Sequence, residues 1–333
     1  MSSVKLKDIA DQLGLSVTTV SRALSGNGRV KKETCEKVMQ LAHESNYMVN
    51  SLARSLRLSD TRSIGIVVTD ISNNFFSRVI KGAQEACHNH GYMLMVCNSD
   101  ENERYEEEAL KTLLEKQVSG LIVASVGSCP KIFSRYSQAS LPVVYIDNVP
   151  DGAQDYDIVS IDNYRAALHL TREVCLRGYR EIGMISGPRK QSSALMRFRG
   201  FADALEKEGV LVHPEWIMEG DFTLEAGYQN MKKILALPEK PRAMLFANNK
   251  LAYGAVKAIF EQGLRIPEDM AVVSFDAYDH TGLVKPQIVS INQPAEEIGM
   301  RACEMIVEKL NGTNTKRAQH VFLEPFYTDG DSW

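Results

Sequence analysis

The stretch "SIGIVVTDISNNFFSRVIKGAQEACHNHGYMLMVCNS", Ser63–Ser99, decides how most of this chain folds. It opens on "SIGIVVT", a short run of β-branched and aliphatic residues with no polar alternation, the pattern of a strand covered on both faces. Turn-forming Asp, Ser and Asn follow, then an amphipathic stretch over residues 75–90 with helical spacing. "YMLMVCNS" resumes the strand pattern, and its "MLM" at 93–95 reads as buried. One strand, one helix and one strand in that order form a parallel crossover unit.

The unit repeats almost to the end of the chain. Further strand-like runs are "GLIVAS", "PVVYID", "DIVSID", "EIGMISG", "RAMLFAN", "MAVVSFD" and "QIVSIN", mostly separated by helical stretches such as 164–178, 194–209 and 249–263. Such alternation gives an α/β fold with doubly wound parallel sheets, helices on both faces. Roughly 270 residues carry it, too many strands for one open sheet, so two doubly wound lobes are expected. Ligands of such sheets bind beyond the carboxyl ends of the strands, and candidate site residues are sought there.

The first 62 residues differ. "VKLKDIADQLGL" puts Val4, Ile9, Ala10 and Leu13 on one helical stripe that stops at Gly14. A second helix starts after Ser16, a good N-cap, and in "SVTTVSRALSG" Val17, Val20 and Leu24 fall three and four apart. After Gly26-Asn27-Gly28, a third helix turns Val38, Leu41 and Ala42 inward. Three short helices with a tight turn form a small all-α helix-turn-helix head.

Charge follows the same division. The net charge of the 333 residues is −4, but residues 1–62 hold ten Lys and Arg against six Asp and Glu, and the rest 28 against 36. A basic head sits on an acidic body, which suits nucleic acid at one end only. The six cysteines show no CxxC spacing and read as reduced thiols of a cytoplasmic protein. No apolar leader opens the chain and no run approaches 18 apolar residues, which argues against secretion and membrane insertion.

In a helix-turn-helix the second helix enters the major groove by its leading end, which here presents Val17, Thr18, Ser21 and Arg22. Arg can pair bidentately with guanine, and Thr and Ser can bond bases or phosphate. On these residues alone an ordinary surface helix fits equally well. The wider context separates the two: "DIA…GLS", "TVSRALSG", "NYMVN" and "LARSLR", followed by the "SIGIVV" strand, and later "RGYREIGMISGP", "RFRGF", "GDF", "FANNKLAYGA" and "VVSFDAYDH". Together they resemble the LacI/GalR family of bacterial transcription regulators over essentially the whole chain.

The resemblance implies a DNA-binding domain over residues 1–49, a hinge helix over 50–61 and an effector-binding and dimerisation domain over 62–333. That domain divides into a first lobe, about 62–161 plus 293–322, and a second, about 162–292 plus 323–333. In the hinge, Asn50, Ala53 and Leu56 match DNA-contacting positions, with Leu56 as a wedge into the minor groove. The implied partners are a pseudo-palindromic double-stranded operator, a second copy of the chain in a homodimer, and a small effector, a sugar or sugar acid. The matching effector-site positions are Asp70, Asn73, Phe75, Phe76, Asp147, Gln191, Ser193, Arg197, Phe222, Asn248, Asp276 and Gln293. Aromatic faces can stack on a sugar ring while amides, carboxylates and a guanidinium bond its hydroxyls. Of the adjacent Phe75 and Phe76, one is expected to reach the ligand and the other the core.

Two departures from the family pattern bear on the ligand. The chain has Asn248–Asn249 where the family usually has Asn-Asp, which removes a carboxylate near the cleft. Arg189 and Lys190 in "GPRKQSS" could favour an acidic sugar. Other motifs fail: His88 and His90 sit two apart on a helix, too far round to share a metal, and the acidic run Glu106–Glu108 reads as a solvated helix face. No dinucleotide fingerprint, phosphate loop or nucleophile elbow occurs, so no enzyme, cofactor or metal is expected. The competing classes are a solute-binding protein, and a family regulator answering to a nucleobase-type corepressor or a partner phosphoprotein.

Overall fold

The computed structural model describes residues 5–25, 30–45, 47, 61–127, 133, 141–153, 155–277, 283, 285–314 and 318–333. They form two compact units, Met1–Thr61 and Arg62–Trp333.

The small unit contains α1 (Leu6–Leu13), α2 (Val17–Ser25) and α3 (Lys32–Glu44). Helix α1 ends where the sequence places a stop, since Gly14 takes the left-handed conformation at φ +62°. Helix α2 begins on the Ser16 cap, whose Oγ accepts from the Thr19 amide at 3.0 Å. Ile9, Ala10, Val20, Ala23, Val38 and Ala42 close the core between the three helices. Val17 is not part of it: the side chain is 44% exposed, so the packed stripe of α2 runs through Val20 and Ala23.

The large unit holds two six-stranded sheets. The first uses β1 (Ser63–Val68), β2 (Met93–Asn98), β3 (Gly120–Val123), β4 (Val143–Ile146), β5 (Asp157–Ser160) and β11 (His320–Phe322) in the order β11-β5-β4-β3-β1-β2, all parallel. The second uses β6 (Ile182–Ser186), β7 (Ile217–Glu219), β8 (Ala243–Phe246), β9 (Ala271–Phe275), β10 (Val289–Asn292) and β12 (Phe326–Thr328) in the order β12-β10-β9-β8-β6-β7, parallel except for β12. Helices α4 (Asn74–Asn89) and α5 (Glu103–Glu115) flank the first sheet. Helices α6 (Asn163–Leu176), α7 (Ser192–Lys207), α8 (Leu224–Leu235) and α9 (Asn249–Glu261) flank the second. The last helix, α10 (Ala295–Leu310), returns to the first sheet and packs on α4.

The chain thus passes between the sheets three times, after β5, after β10 and between β11 and β12. In each sheet the strand order reverses beside the first strand, which opens a crevice at the carboxyl ends. The α4–α10 contact depends on two glycines, since a Cβ on Gly82 would lie 1.9 Å from the Glu296 carbonyl oxygen and one on Gly299 1.9 Å from that of Val79. Among the described residues no helix is long and apolar enough to cross a membrane.

Three readings of the sequence change here. Strand β2 is the edge of its sheet, so "MLM" is not buried: Met93 is 66% exposed and Leu94 and Met95 are half-buried. Glu106 is not solvated either, because it faces the sheet and accepts from Ser125 Oγ at 2.9 Å and the Val126 amide at 2.7 Å. Strands β7, β11 and β12 are not among the strand-like runs of the sequence, being three residues each with none fully buried.

Candidate functional site

Within the large unit, loops at the carboxyl ends of both sheets surround a small cavity. Its described lining is Thr69, Asp70, Asn73, Phe75, Phe76, Glu101, Asp147, Ser193, Arg197, Phe222, Asn248, Asn249, Asp276 and Gln293. Eleven of the twelve sequence candidates are here together. Gln191 stands behind the wall, donating to Glu101 Oε2 at 2.7 Å and accepting from Asn148 Nδ2 at 3.0 Å. Phe75 and Phe76 both line the cavity, packed edge to face at 4.9 Å, so neither ring is confined to the core.

Arg197 is the centre of the wall. It projects from α7, 2% exposed, with its guanidinium over the Phe275 ring at 4.2 Å. Nε donates to Asn163 Oδ1 at 2.8 Å and Nη1 to the Ala247 carbonyl at 2.5 Å, while Nη2 lies 4.0 Å from Asp147 Oδ1 and has no hydrogen-bond partner. A buried donor left open costs free energy, and a ligand acceptor would satisfy it.

The carboxylates are placed by backbone as much as by side chain. Asp147 and Asp276, each just beyond a strand end, take left-handed φ values of +55° and +56°, a conformation uncommon outside glycine but tolerated by Asp. Gln293, in the crossover after β10, clamps Asp276 by donating from its amide to Oδ1 and from Nε2 to Oδ2, both at 2.8 Å, and its own Oε1 has no partner. Burial pushes the Asp147 carboxyl up to about 6, against the pull of Arg197. Burial raises Asp276 and Glu101 as well. Burial alone would also raise Asp70, but the Lys250 ammonium and the Ser72 hydroxyl that bond it hold it below the usual carboxylate range.

The two lobes are joined around the cavity by polar bridges. Asn73 and Asn249 exchange amide hydrogen bonds at 3.2 and 3.1 Å, Lys250 contacts Asp70 and Ser72, and Ser193 donates to Asn148 Oδ1 at 2.6 Å. The Asn-Asn departure at 248–249 therefore has a role. Asn248 caps α9 by accepting from the Leu251 amide, and Asn249 reaches across to the first lobe. Gly187 lets the Phe222 ring lie across the end of β6, where a Cβ would sit 2.2 Å from it. Arg189 and Lys190 do not line the cavity. Arg189 pairs with Glu219 at 3.4 Å and stacks on Phe198 at 3.9 Å, and Lys190 pairs with Glu103 at 2.9 Å.

Sequence reasoning missed Thr69 and Glu101 as lining residues, and it noted Asn249 only as a departure from the family pattern. Glu101 follows β2 in "NSDEN", beyond a strand end as Asp147 and Asp276 are, whereas those two are named because they match the family's positions. Among the described residues no group of His, Cys, Asp and Glu suits a metal. In the small unit, Val17, Thr18 and Arg22 are exposed on α2 and Ser21 is half-buried. Asn50, Ala53 and Leu56 lie outside the described residues.

A three-helix unit with a polar second helix, joined to a two-lobed α/β unit with a polar cavity at its strand ends, defines a ligand-binding protein with a helix-turn-helix head. Residues 5–50 match the model of the bacterial regulatory proteins of the lacI family, and residues 61–325 that of periplasmic binding proteins and the sugar-binding domain of the LacI family. The chain belongs to the LacI family of bacterial regulatory proteins. It is 33% identical over 314 residues to the HTH-type transcriptional repressor PurR of Pasteurella multocida, covering 94% of each chain. It is 31% identical over 312 residues to the repressor CytR of Escherichia coli, covering 93% of this chain and 91% of that one. The fold matches the Lac repressor dimer bound to operator and the anti-inducer ONPF with a TM-score of 0.86, at 24% identity and 99% coverage of each chain.

Proposed function

We propose that the protein is a cytoplasmic transcription repressor that binds a pseudo-palindromic operator as a homodimer and whose grip on DNA is set by a small polar effector held between the lobes. The observation carrying this reading is the set of three buried atoms without a hydrogen-bond partner, Thr69 Oγ1, Arg197 Nη2 and Gln293 Oε1, on residues that line one cavity. A sugar fits such a wall. A nucleobase-type ligand is the second reading, favoured by the three phenylalanine rings Phe75, Phe76 and Phe222. At the head, Thr18 and Arg22 would read bases from the major groove, and the linker residues Asn50, Ala53 and Leu56 would contact the minor groove.

Selection of duplexes from a random pool by the purified full chain tests the DNA half. The expected product is a two-fold symmetric site on which Arg22→Ala loses about 1–3 kcal/mol, with a smaller loss on scrambled DNA. Enrichment of no sequence, or equal losses on both duplexes, contradicts it.

A further inference from the structure

Taking the cavity as the effector site, as proposed above, we infer that the effector is an uncharged or cationic molecule dense in O–H or N–H donors, and that the cavity selects against ligands bearing a carboxylate or phosphate. Asp70, Glu101, Asp147 and Asp276 all line the cavity, and among its described lining residues the one cation is Arg197. Lys250 offsets Asp70 alone. The basic pair that could have drawn an anion, Arg189 and Lys190, is engaged by Glu219 and Glu103.

Hydrogen-bonding capacity points the same way. Gln293, 3% exposed, offers an unpartnered acceptor in Oε1, and the Asp147 carboxylate stands 4.0 Å from the nearest guanidinium nitrogen. The open donors are Arg197 Nη2 and the Thr69 hydroxyl, which can also accept. A hydroxyl can donate to Gln293 or Asp147 and accept from Arg197, and an amine can donate to several acceptors at once. The acid group of a carboxylate or phosphate ligand supplies no donor for Gln293 Oε1 or the lining carboxylates, and it adds negative charge beside Asp147 and Asp276 in a site where burial weakens screening. Two hydrogen bonds from Gln293 hold the Asp276 carboxylate in place.

Two measurements on the full chain test the inference. In the first, matched probes are titrated by calorimetry: glucose, glucosamine, glucuronate and glucose 6-phosphate; ribose and ribose 5-phosphate; cytidine and cytidine monophosphate. Each anionic member is expected to bind on the order of tenfold more weakly than its neutral or amino parent, or worse. An anion that binds as tightly as its parent overturns the charge rule while leaving the cavity reading intact. A bound probe whose affinity is untouched by Asp276→Asn overturns the cavity reading instead. The second needs no ligand. Asp147 is faced by Arg197, Asp276 and Glu101, and Glu101 by Asp70, Asp221 and Gln191. The fall in melting temperature between pH 5 and pH 8 should therefore shrink in both Glu101→Gln and Asp147→Asn. An unchanged fall in both variants means the surplus charge is not there, and the inference fails whatever the probes do.

Discussion

Arg197 is both a candidate ligand contact and a structural cation, because it is buried between Asp147, Asp276, Asn163 and Phe275. Its removal leaves two buried carboxylates without their counter-ion, a loss typically near 3–5 kcal/mol. The pH dependence follows from the sign of the shifts. Asp147 and Asp276 bind protons more tightly folded than unfolded, so their contribution is present at low pH and lost as pH rises through the folded value, about 6 for Asp147. Without Arg197 those values climb further. Arg197→Met should therefore destabilise the chain more at pH 8 than at pH 5 in urea melts, and an equal loss at both would show that the guanidinium does not balance these carboxylates. At this scale the resemblance to the family picked out residues that the fold gathers at strand ends around one cavity, as for Asp147, Asn248, Asp276 and Gln293. It was silent on pairing: nothing in "GPRKQSS" says that Arg189 meets Glu219 or Lys190 meets Glu103, since those contacts join residues far apart in the chain.

Elements were legible in proportion to their burial. Strand β1, covered on both faces, announces itself as six apolar or small residues, and α4 follows at helical period. Strand β2 carries an equally apolar sequence yet lies at the sheet edge, because strand order is set by crossovers that composition does not encode. Glu106 was misread for the opposite reason: its neighbours Glu107 and Glu108 are solvated, while one more step round the helix points inward to Ser125 and Val126. The contact between α4 and α10 matters to the site because α4 begins at the cavity residues Asn73, Phe75 and Phe76, and α10 begins just after Gln293. Gly299→Ala would drive a methyl into the Val79 carbonyl and force the helices apart, so a loss of about 1–3 kcal/mol or more is expected. Thermal melts check this, and a change below about 0.5 kcal/mol, the range of an ordinary surface substitution, would mean the two helices can part without cost.

For the whole molecule, the head and the body are separate units on one chain, and the value of joining them lies in free-energy coupling. A ligand between the lobes can alter DNA binding only through its preference for one lobe arrangement over another. The bridges Asn73–Asn249, Lys250–Asp70 and Ser193–Asn148 are the contacts such a preference would make or break. Coupling of this kind is usually about 1–3 kcal/mol, a roughly 5–150-fold change in affinity. The most direct measurement is operator affinity by fluorescence anisotropy, with and without a saturating ligand identified by calorimetry, in the wild-type chain and in Asp276→Asn. The expected result is a shift of at least about fivefold in the wild type, abolished or displaced to far higher ligand concentration in the variant. Operator affinity that stays the same with the cavity filled would contradict the claim that this site governs the head.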